Sequence, residues 1–279
     1  MQFYQREWRA ENEVARVVFV HGFDEWIDRY DKLFSNMQAN AISVFAWDQR
    51  GFGRTSEAKR EWAVTGGYEQ VLQDVDQHVF AQSKTCKSPL FLWGHSMGGA
   101  IVINYGCFGK HRELLAGIIS SSPLIELHTA TKPKIPYIFS MARMASYLVP
   151  HQQIQVTVDP KYLNNNDQLI QEYASSPFQR GVMTLQSGSD MFLRGQDLLH
   201  ADVYSKLVDC SLLMTHADND YVNSCEASRT FFERVSVKDK TLQIYPGGMH
   251  EVHNHLQIGP QMMKDIIAWL LKHSTVSRL

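Results

Sequence analysis

Short apolar runs recur along the chain, separated by longer stretches in which apolar and polar positions alternate at helical spacing. The runs lie at residues 16–20 (RVVFV), 42–47 (ISVFAW), 90–93 (LFLW), 117–120 (GIIS), 211–215 (SLLMT) and 241–245 (TLQIY), each bounded by Gly, Pro, Asp or Ser. Runs of this length and composition predict strands covered on both faces. A further strand is expected at residues 3–8. The stretches 26–38, 68–83, 99–108, 224–235 and 258–273 predict amphipathic helices. Strand followed by helix, repeated, implies a mostly parallel sheet with helices on both faces. Right-handed crossovers then gather the loops that follow the strands along one edge, where ligands bind.

The alternation breaks between residues 124 and 196, which hold Pro133, Pro136, Pro150, Pro160 and Pro177 and no clean strand. An all-helical or irregular insertion is expected there, between core segments 1–123 and 197–279. Within it, residues 135–149 (IPYIFSMARMASYLV) carry Arg143 as their only charge. This stretch reads either as an ordinary core helix or as a lid whose apolar surface meets a lipid.

Composition narrows the field. The chain has 279 residues, 44% of them hydrophobic, enough for one large domain with an insertion and too apolar for disorder. With 27 basic against 29 acidic residues it has no basic excess to hold nucleic acid. Cys86, Cys107, Cys210 and Cys225 are widely spread, with no Cys-x-x-Cys pair, so ordinary thiols of a reducing compartment are expected. The first ten residues carry Arg6, Glu7 and Arg9 and no apolar run, which argues against a secretory signal. No segment reaches the roughly 20 apolar residues of a membrane span.

The chemistry concentrates in three loops. Gly94-His95-Ser96-Met97-Gly98 follows one strand and precedes a helix, the setting of a nucleophile elbow in which Ser96 projects its hydroxyl from a strained turn. A serine hydroxyl needs a base in reach and a group to orient that base. His250 ends the Pro246-Gly247-Gly248 turn after the last strand; among 12 histidines it is this position that selects it. The acid belongs to the loop His216-Ala217-Asp218-Asn219-Asp220. Asp218 and Asp220 compete there; family patterns, which place the acid three residues after a small residue, point from Ala217 to Asp220, with Asp218 as the alternative. His21-Gly22-Phe23 follows the first long strand, so the backbone N–H groups of Phe23 and Met97 are the expected oxyanion donors. His250, His253 and His255 cluster, but no accompanying ligand set of known spacing supports a metal site.

These elements place the chain in the α/β-hydrolase fold, with 124–196 as a helical cap. Over nearly its whole length the sequence resembles the monoacylglycerol lipases. The resemblance rests on His21-Gly22-Phe23 with Glu25, Arg29 and Tyr30, on Asp48-Gln49-Arg50-Gly51-Phe52-Gly53 with Ser56, on the elbow, and on the Asp220 and His250 loops. It implies hydrolysis of monoacylglycerol to glycerol and fatty acid without a cofactor. It also implies that Glu25, Arg29 and His253 lie near the glycerol end, that the cap shields an acyl tunnel, and that the cap touches a membrane or lipid-droplet surface. Lysophospholipases and general carboxylesterases share the same motifs. A non-catalytic binding module on this fold usually lacks a triad member, and all three are present here. An aspartate at the elbow would suit an epoxide hydrolase or dehalogenase; Ser96 stands there instead. Two features depart from the family pattern: no strand is read ahead of residues 3–8, and Ala217 replaces the usual glycine. The tripeptide Ser277-Arg278-Leu279 resembles a peroxisomal address, so the import receptor is an expected partner and the peroxisome an expected location, with cytoplasm or lipid-droplet surface next.

Overall fold

A computed structural model describes residues 1–135, 137–156 and 158–275; the tripeptide 277–279 lies outside them. The strands are β1 (Gln5–Trp8), β2 (Ala15–Val20), β3 (Ile42–Trp47), β4 (Leu90–His95), β5 (Gly117–Ser121), β6 (Gln153–Gln155), β7 (Val182–Thr184), β8 (Ser211–Ala217) and β9 (Lys240–Tyr245). Seven of them form one sheet in the order β1-β3-β2-β4-β5-β8-β9. All neighbours in it are parallel except β1, which pairs antiparallel with β3 at the edge.

The helices are α1 (Asp31–Ala39), α2 (Tyr68–Thr85), α3 (Met97–Phe108), α4 (Ile138–Ser146), α5 (Asp167–Ser175), α6 (Leu185–Asp197), α7 (Ala201–Tyr204), α8 (Cys225–Arg234) and α9 (Gly259–Ser274). Strand alternation splits the core in two. Val18, Val20, Leu92 and Ile118 pack with Val79 of α2, Ile101 of α3 and Phe231 of α8. Val17, Phe19, Phe91 and Ile119 pack on the other face with Phe34 of α1 and Trp269 and Leu270 of α9. With both faces covered, the central strands carry buried apolar residues on both faces instead of alternating apolar with polar. None of the four cysteines is in a disulfide, and Cys107 is buried.

Two expectations need correction. The helix expected to be amphipathic at 99–108 is α3, and it is buried on all sides from Met97 to Cys107. Its outer face is covered by α6, whose Arg194 carbonyl accepts a hydrogen bond from Asn104 Nδ2 at 3.2 Å. The stretch between 124 and 196 is not wholly helical or irregular either. β6 and β7 form an antiparallel ribbon within it, pairing Gln153 with Thr184 and Gln155 with Val182. Neither strand exceeds three residues, too few to leave a periodic signal in the sequence. The segment leaves the sheet after β5 and rejoins it at β8, so it stands over the edge where the strand ends converge. Among the described residues no helix is long and apolar enough to cross a membrane.

Candidate active site

The elbow between β4 and α3 is set by close backbone packing. A Cβ on Gly94 would stand 2.1 Å from the Gly98 carbonyl oxygen, and one on Gly98 would stand 2.1 Å from that of Val20. Only glycine fits at either place. Ser96 adopts φ 56° and ψ −117°, a conformation that costs a non-glycine residue about 1–3 kcal/mol. Its surroundings over-determine it. Ser96 N donates to Ser121 O at 2.9 Å, and Ser96 O accepts from Leu124 N at 3.0 Å and Ala100 N at 3.2 Å. The strain aims the hydroxyl away from the sheet toward the loops after β8 and β9.

Those loops deliver the partners. His250 Nε2 lies 3.0 Å from Ser96 Oγ, and its Nδ1 lies 2.8 Å from Asp220 Oδ2. With Nδ1–H donating to the carboxylate, Nε2 is left to accept the serine proton. His250 is itself placed by Ser122 Oγ, which donates to its carbonyl at 2.9 Å. Asp220 Oδ1 accepts from the backbone N–H of Val222 at 2.8 Å and of Asn223 at 2.9 Å. Burial alone would raise the Asp220 pKa, but His250 and His216, through charge and hydrogen bonds, outweigh it and hold the carboxyl far below the usual range. Burial likewise depresses His250; Asp220 wins there, and the imidazole pKa is raised above its ordinary value. Asp218, the other candidate acid, is exposed, and its Oδ1 accepts from Gly247 N at 2.7 Å. It ties two turns together and does not face the imidazole.

Phe23 lines the same cavity as Ser96, and Met97 follows Ser96 in the chain; among the described residues neither backbone N–H donates to a protein acceptor. The turn carrying Phe23 is fixed by His21, whose Nε2 accepts from Gln49 N at 2.9 Å and whose Nδ1 faces Gly22 O at 2.8 Å. Burial pushes the His21 pKa down to about 4, so it serves as a neutral strut. The Asp48–Gly53 turn supports it from below. Asp48 accepts from Ile27 N and Arg54 N, both at 2.7 Å, and Ser56 Oγ accepts from Gly51 N at 3.0 Å.

Ser96 and His250 open into a cavity of about 750 Å³. Most of its wall is apolar and comes from the segment above the sheet, including Ile138, Phe139 and Ala142 of α4, Ile154, Val156, Met183, Met191 and Phe192. Near Ser96 the wall turns polar, with Glu25, Arg29 and Glu251. Arg29 pairs with Glu25 through Nη1 and with Glu251 Oε1 through Nη2 at 2.7 Å. His253 is not part of the wall; it stacks behind it on Tyr30, at 5.3 Å, and edge-on to His95, at 5.0 Å. Burial pushes its pKa down to about 4. His250, His253 and His255 do not form a ligand set, and among the described residues no group of three His, Cys, Asp or Glu could hold a metal.

Three residues of the site were not singled out in the sequence. His216 Nε2 reaches Asp220 Oδ2 at 3.1 Å, with its Nδ1 on Ser228 Oγ at 2.8 Å. Asn223 Nδ2 stands 3.4 Å from Ser96 Oγ and donates to Ser122 O at 2.8 Å. Glu251 follows His250 directly. His216 opens the acid loop and Glu251 adjoins the base, so position offered a signal for both. Asn223 had none, since its approach to Ser96 depends on how the Asp220 loop folds back.

Known proteins resemble this chain over most of its length. The family described as serine aminopeptidase, S33 (Hydrolase_4), matches residues 11–257. A Schizosaccharomyces pombe protein described as a putative monoglyceride lipase is 33% identical over 98% of this chain and 72% of its own. The monoglyceride lipase of Saccharomyces cerevisiae is 31% identical over 95% of this chain and 87% of its own. The crystal structure of a soluble variant of that yeast enzyme, in complex with a substrate analog, superposes with a TM-score of 0.92 at 29% identity, covering 98% of this chain and 92% of that one. A monoacylglycerol lipase from Paleococcus ferrophilus gives a TM-score of 0.87 at 26% identity, covering 98% and 100%.

Proposed function

The chain belongs to the serine aminopeptidase S33 family and, within it, to the monoglyceride lipases, and from that premise we propose that it hydrolyses monoacylglycerol to glycerol and fatty acid through an acyl-enzyme on Ser96. The observation that carries the reading is a serine hydroxyl 3.0 Å from an imidazole at the polar end of a large apolar cavity. His250 takes the Ser96 proton as Oγ attacks the ester carbonyl. Asp220 holds the tautomer and stabilises the imidazolium. The N–H groups of Phe23 and Met97 stabilise the oxyanion, each worth about 3 kcal/mol. His250 then gives its proton to the departing glycerol. Water, deprotonated by the same imidazole, attacks the acyl carbonyl and releases the fatty acid and the serine.

In this reading residues 124–196 form a cap over the acyl chain. The cavity falls within the ordinary range for enclosing a small ligand, and its wall is of the apolar kind an acyl chain needs. Glu25 and Arg29 stand at the glycerol end, while His253 acts from behind by packing. The outer face of α4 and the turn after it expose Met144 (73%), Tyr147 (73%) and Leu148 (86%), an apolar patch suited to a membrane or lipid-droplet surface.

The test is a panel of oleoyl esters differing only in the alcohol, measured as kcat/KM on the purified chain. The monoacylglycerol should lead, and Ser96→Ala should lose about 10⁶ in kcat, because the members of such a unit act together. Equal turnover of every head group would remove the substrate assignment, and an active Ser96→Ala would remove the mechanism.

A further inference from the structure

The polar end of the cavity is unevenly charged. Its wall holds one guanidinium, Arg29, between two carboxylates, Glu25 and Glu251. Only one of the two can be balanced, which leaves a residual charge of −1 beside Ser96. Asp220 lies behind His250, 2.8 Å from its Nδ1, and adds a second negative charge whenever that imidazole is in the neutral form that accepts the Ser96 proton. The imidazoles nearby do not compensate, since burial holds both His95 and His253 in their neutral forms. Asp159, farther along the wall, is matched by Lys161 at 2.6 Å.

Glu251 shares that single guanidinium with Glu25, and it is firmly held. Its side chain is 1% exposed. Oε1 accepts from Arg29, and Oε2 accepts from Asn164 and Asn254, both at 2.7 Å. Its backbone N–H donates to Leu163 O at 2.7 Å. Burial would raise its pKa, but Arg29 outweighs this and brings it down to about 2, so the carboxylate is ionised throughout the working pH range. With both oxygens occupied, Glu251 has little left to offer a substrate hydroxyl. What it offers is charge, in a site where low polarisability lets a charge act over several ångströms and salt screens it weakly. Arg29 for its part is engaged on both sides and lies over the Tyr173 ring at 4.5 Å, so it is not free to receive a phosphate.

We propose that Glu251 sets the head-group specificity of the reaction: its buried carboxylate makes the alcohol end of the cavity net negative, turning away acyl esters whose alcohol bears a phosphate and selecting neutral polyol esters. This rests on the monoacylglycerol reading and deepens it. Asp220 orients the base; Glu251 is a positioning and specificity residue that acts through the field at the alcohol end.

The experiment compares kcat/KM for 1-oleoylglycerol and 1-oleoylglycerol 3-phosphate on the full chain, with p-nitrophenyl butyrate as a neutral reporter of the triad. The unsubstituted enzyme should favour the neutral ester by about a hundredfold or more, since a like charge at such a site costs several kcal/mol. Glu251→Gln should narrow that ratio by about tenfold, chiefly through KM of the phosphate ester. Glu251→Asp, which keeps the charge, should retain the ratio even where overall activity falls. Near-equal use of the two esters by the unsubstituted enzyme would overturn the inference without any variant. An unchanged ratio in Glu251→Gln, or the same narrowing in Glu251→Asp, would overturn it as well. Turnover of p-nitrophenyl butyrate with neither oleoyl ester cleaved would remove the monoacylglycerol reading and this inference together.

Discussion

The loops that carry Ser96, Asp220 and His250 and the segment between residues 124 and 196 meet at one cavity, yet they are built in opposite ways. Around the triad the polar groups are buried, and the acid is held by several partners: Asp220 alone accepts from four donors. The segment above contributes apolar wall inside and exposed apolar side chains outside, and α4 is tied to α6 by one ion pair, Arg143 to Asp190 at 2.6 Å. Precision is concentrated where a proton must move along a fixed line. Where a long apolar chain must be accommodated, the contacts are non-directional and tolerate adjustment. The difference teaches that mutational cost should track hydrogen-bond density in the loops and apolar surface in the segment.

Breaking the comparison at its rigid end should give the largest effects. Asp220→Asn keeps the shape but removes the charge and allows the wrong imidazole tautomer, so kcat should fall about 10⁴. Asp218→Asn, which touches only the Gly247 turn, should stay within about twofold. Steady-state assays of the two variants side by side would reverse the assignment if the losses came out the other way. Next in size is the dependence on pH. The His250 pKa is raised, and only the neutral imidazole can accept the Ser96 proton. Activity should therefore fall as pH drops through a value above the ordinary 6.5, about tenfold per unit below it. In Asp220→Asn that limb should move to lower pH, because the carboxylate that raised it is gone; a limb that stayed in place would mean another group sets it.

The flexible end should respond more gently and in a different assay. Met144→Asp with Leu148→Asp should leave hydrolysis of a dispersed short-chain ester within about twofold while weakening vesicle association and turnover of vesicle-borne substrate several-fold. Unaltered sedimentation with vesicles would detach the exposed patch from any lipid role. The smallest effect belongs to Arg143→Met. The Arg143–Asp190 pair is partly exposed, so a change of about 1 kcal/mol or less in the urea unfolding free energy is expected.

The same contrast decides what could be read from the sequence. Buried parallel strands announce themselves as continuous apolar runs, and β2, β3, β4, β5 and β8 were legible to within about two residues at each end; the run at 241–245 was also legible as a strand, but β9 lies at the sheet edge with only Tyr245 buried and is not covered on both faces as expected. Gly94 and Gly98 flagged the elbow because backbone crowding there admits nothing larger. Chain order selected His250 and spacing favoured Asp220 over Asp218, and the fold brings the two within 2.8 Å of each other. The ribbon of β6 and β7 was invisible, being two strands of three residues each in a proline-punctuated stretch. The all-round burial of α3 was also missed, because the element that covers it, α6, lies some ninety residues away in the chain. Residues 135–149 offered core helix or lid, and no periodicity argument separates these. Solvent exposure argues against the core helix: Met141 and Met144 of α4 are 57% and 73% exposed. His216 and Glu251 stand close to the acid and the base in the chain, whereas the approach of Asn223 to Ser96 appears only once the loops are folded together.

Covalent trapping tests the central claim most directly. A long-chain alkyl fluorophosphonate, incubated with the purified chain and mapped by peptide mass spectrometry, should add one equivalent at Ser96. Labelling should abolish 1-oleoylglycerol hydrolysis in proportion and should slow by about 10³ or more in His250→Ala. Label on a different residue, or full hydrolysis by protein fully modified at Ser96, would contradict it.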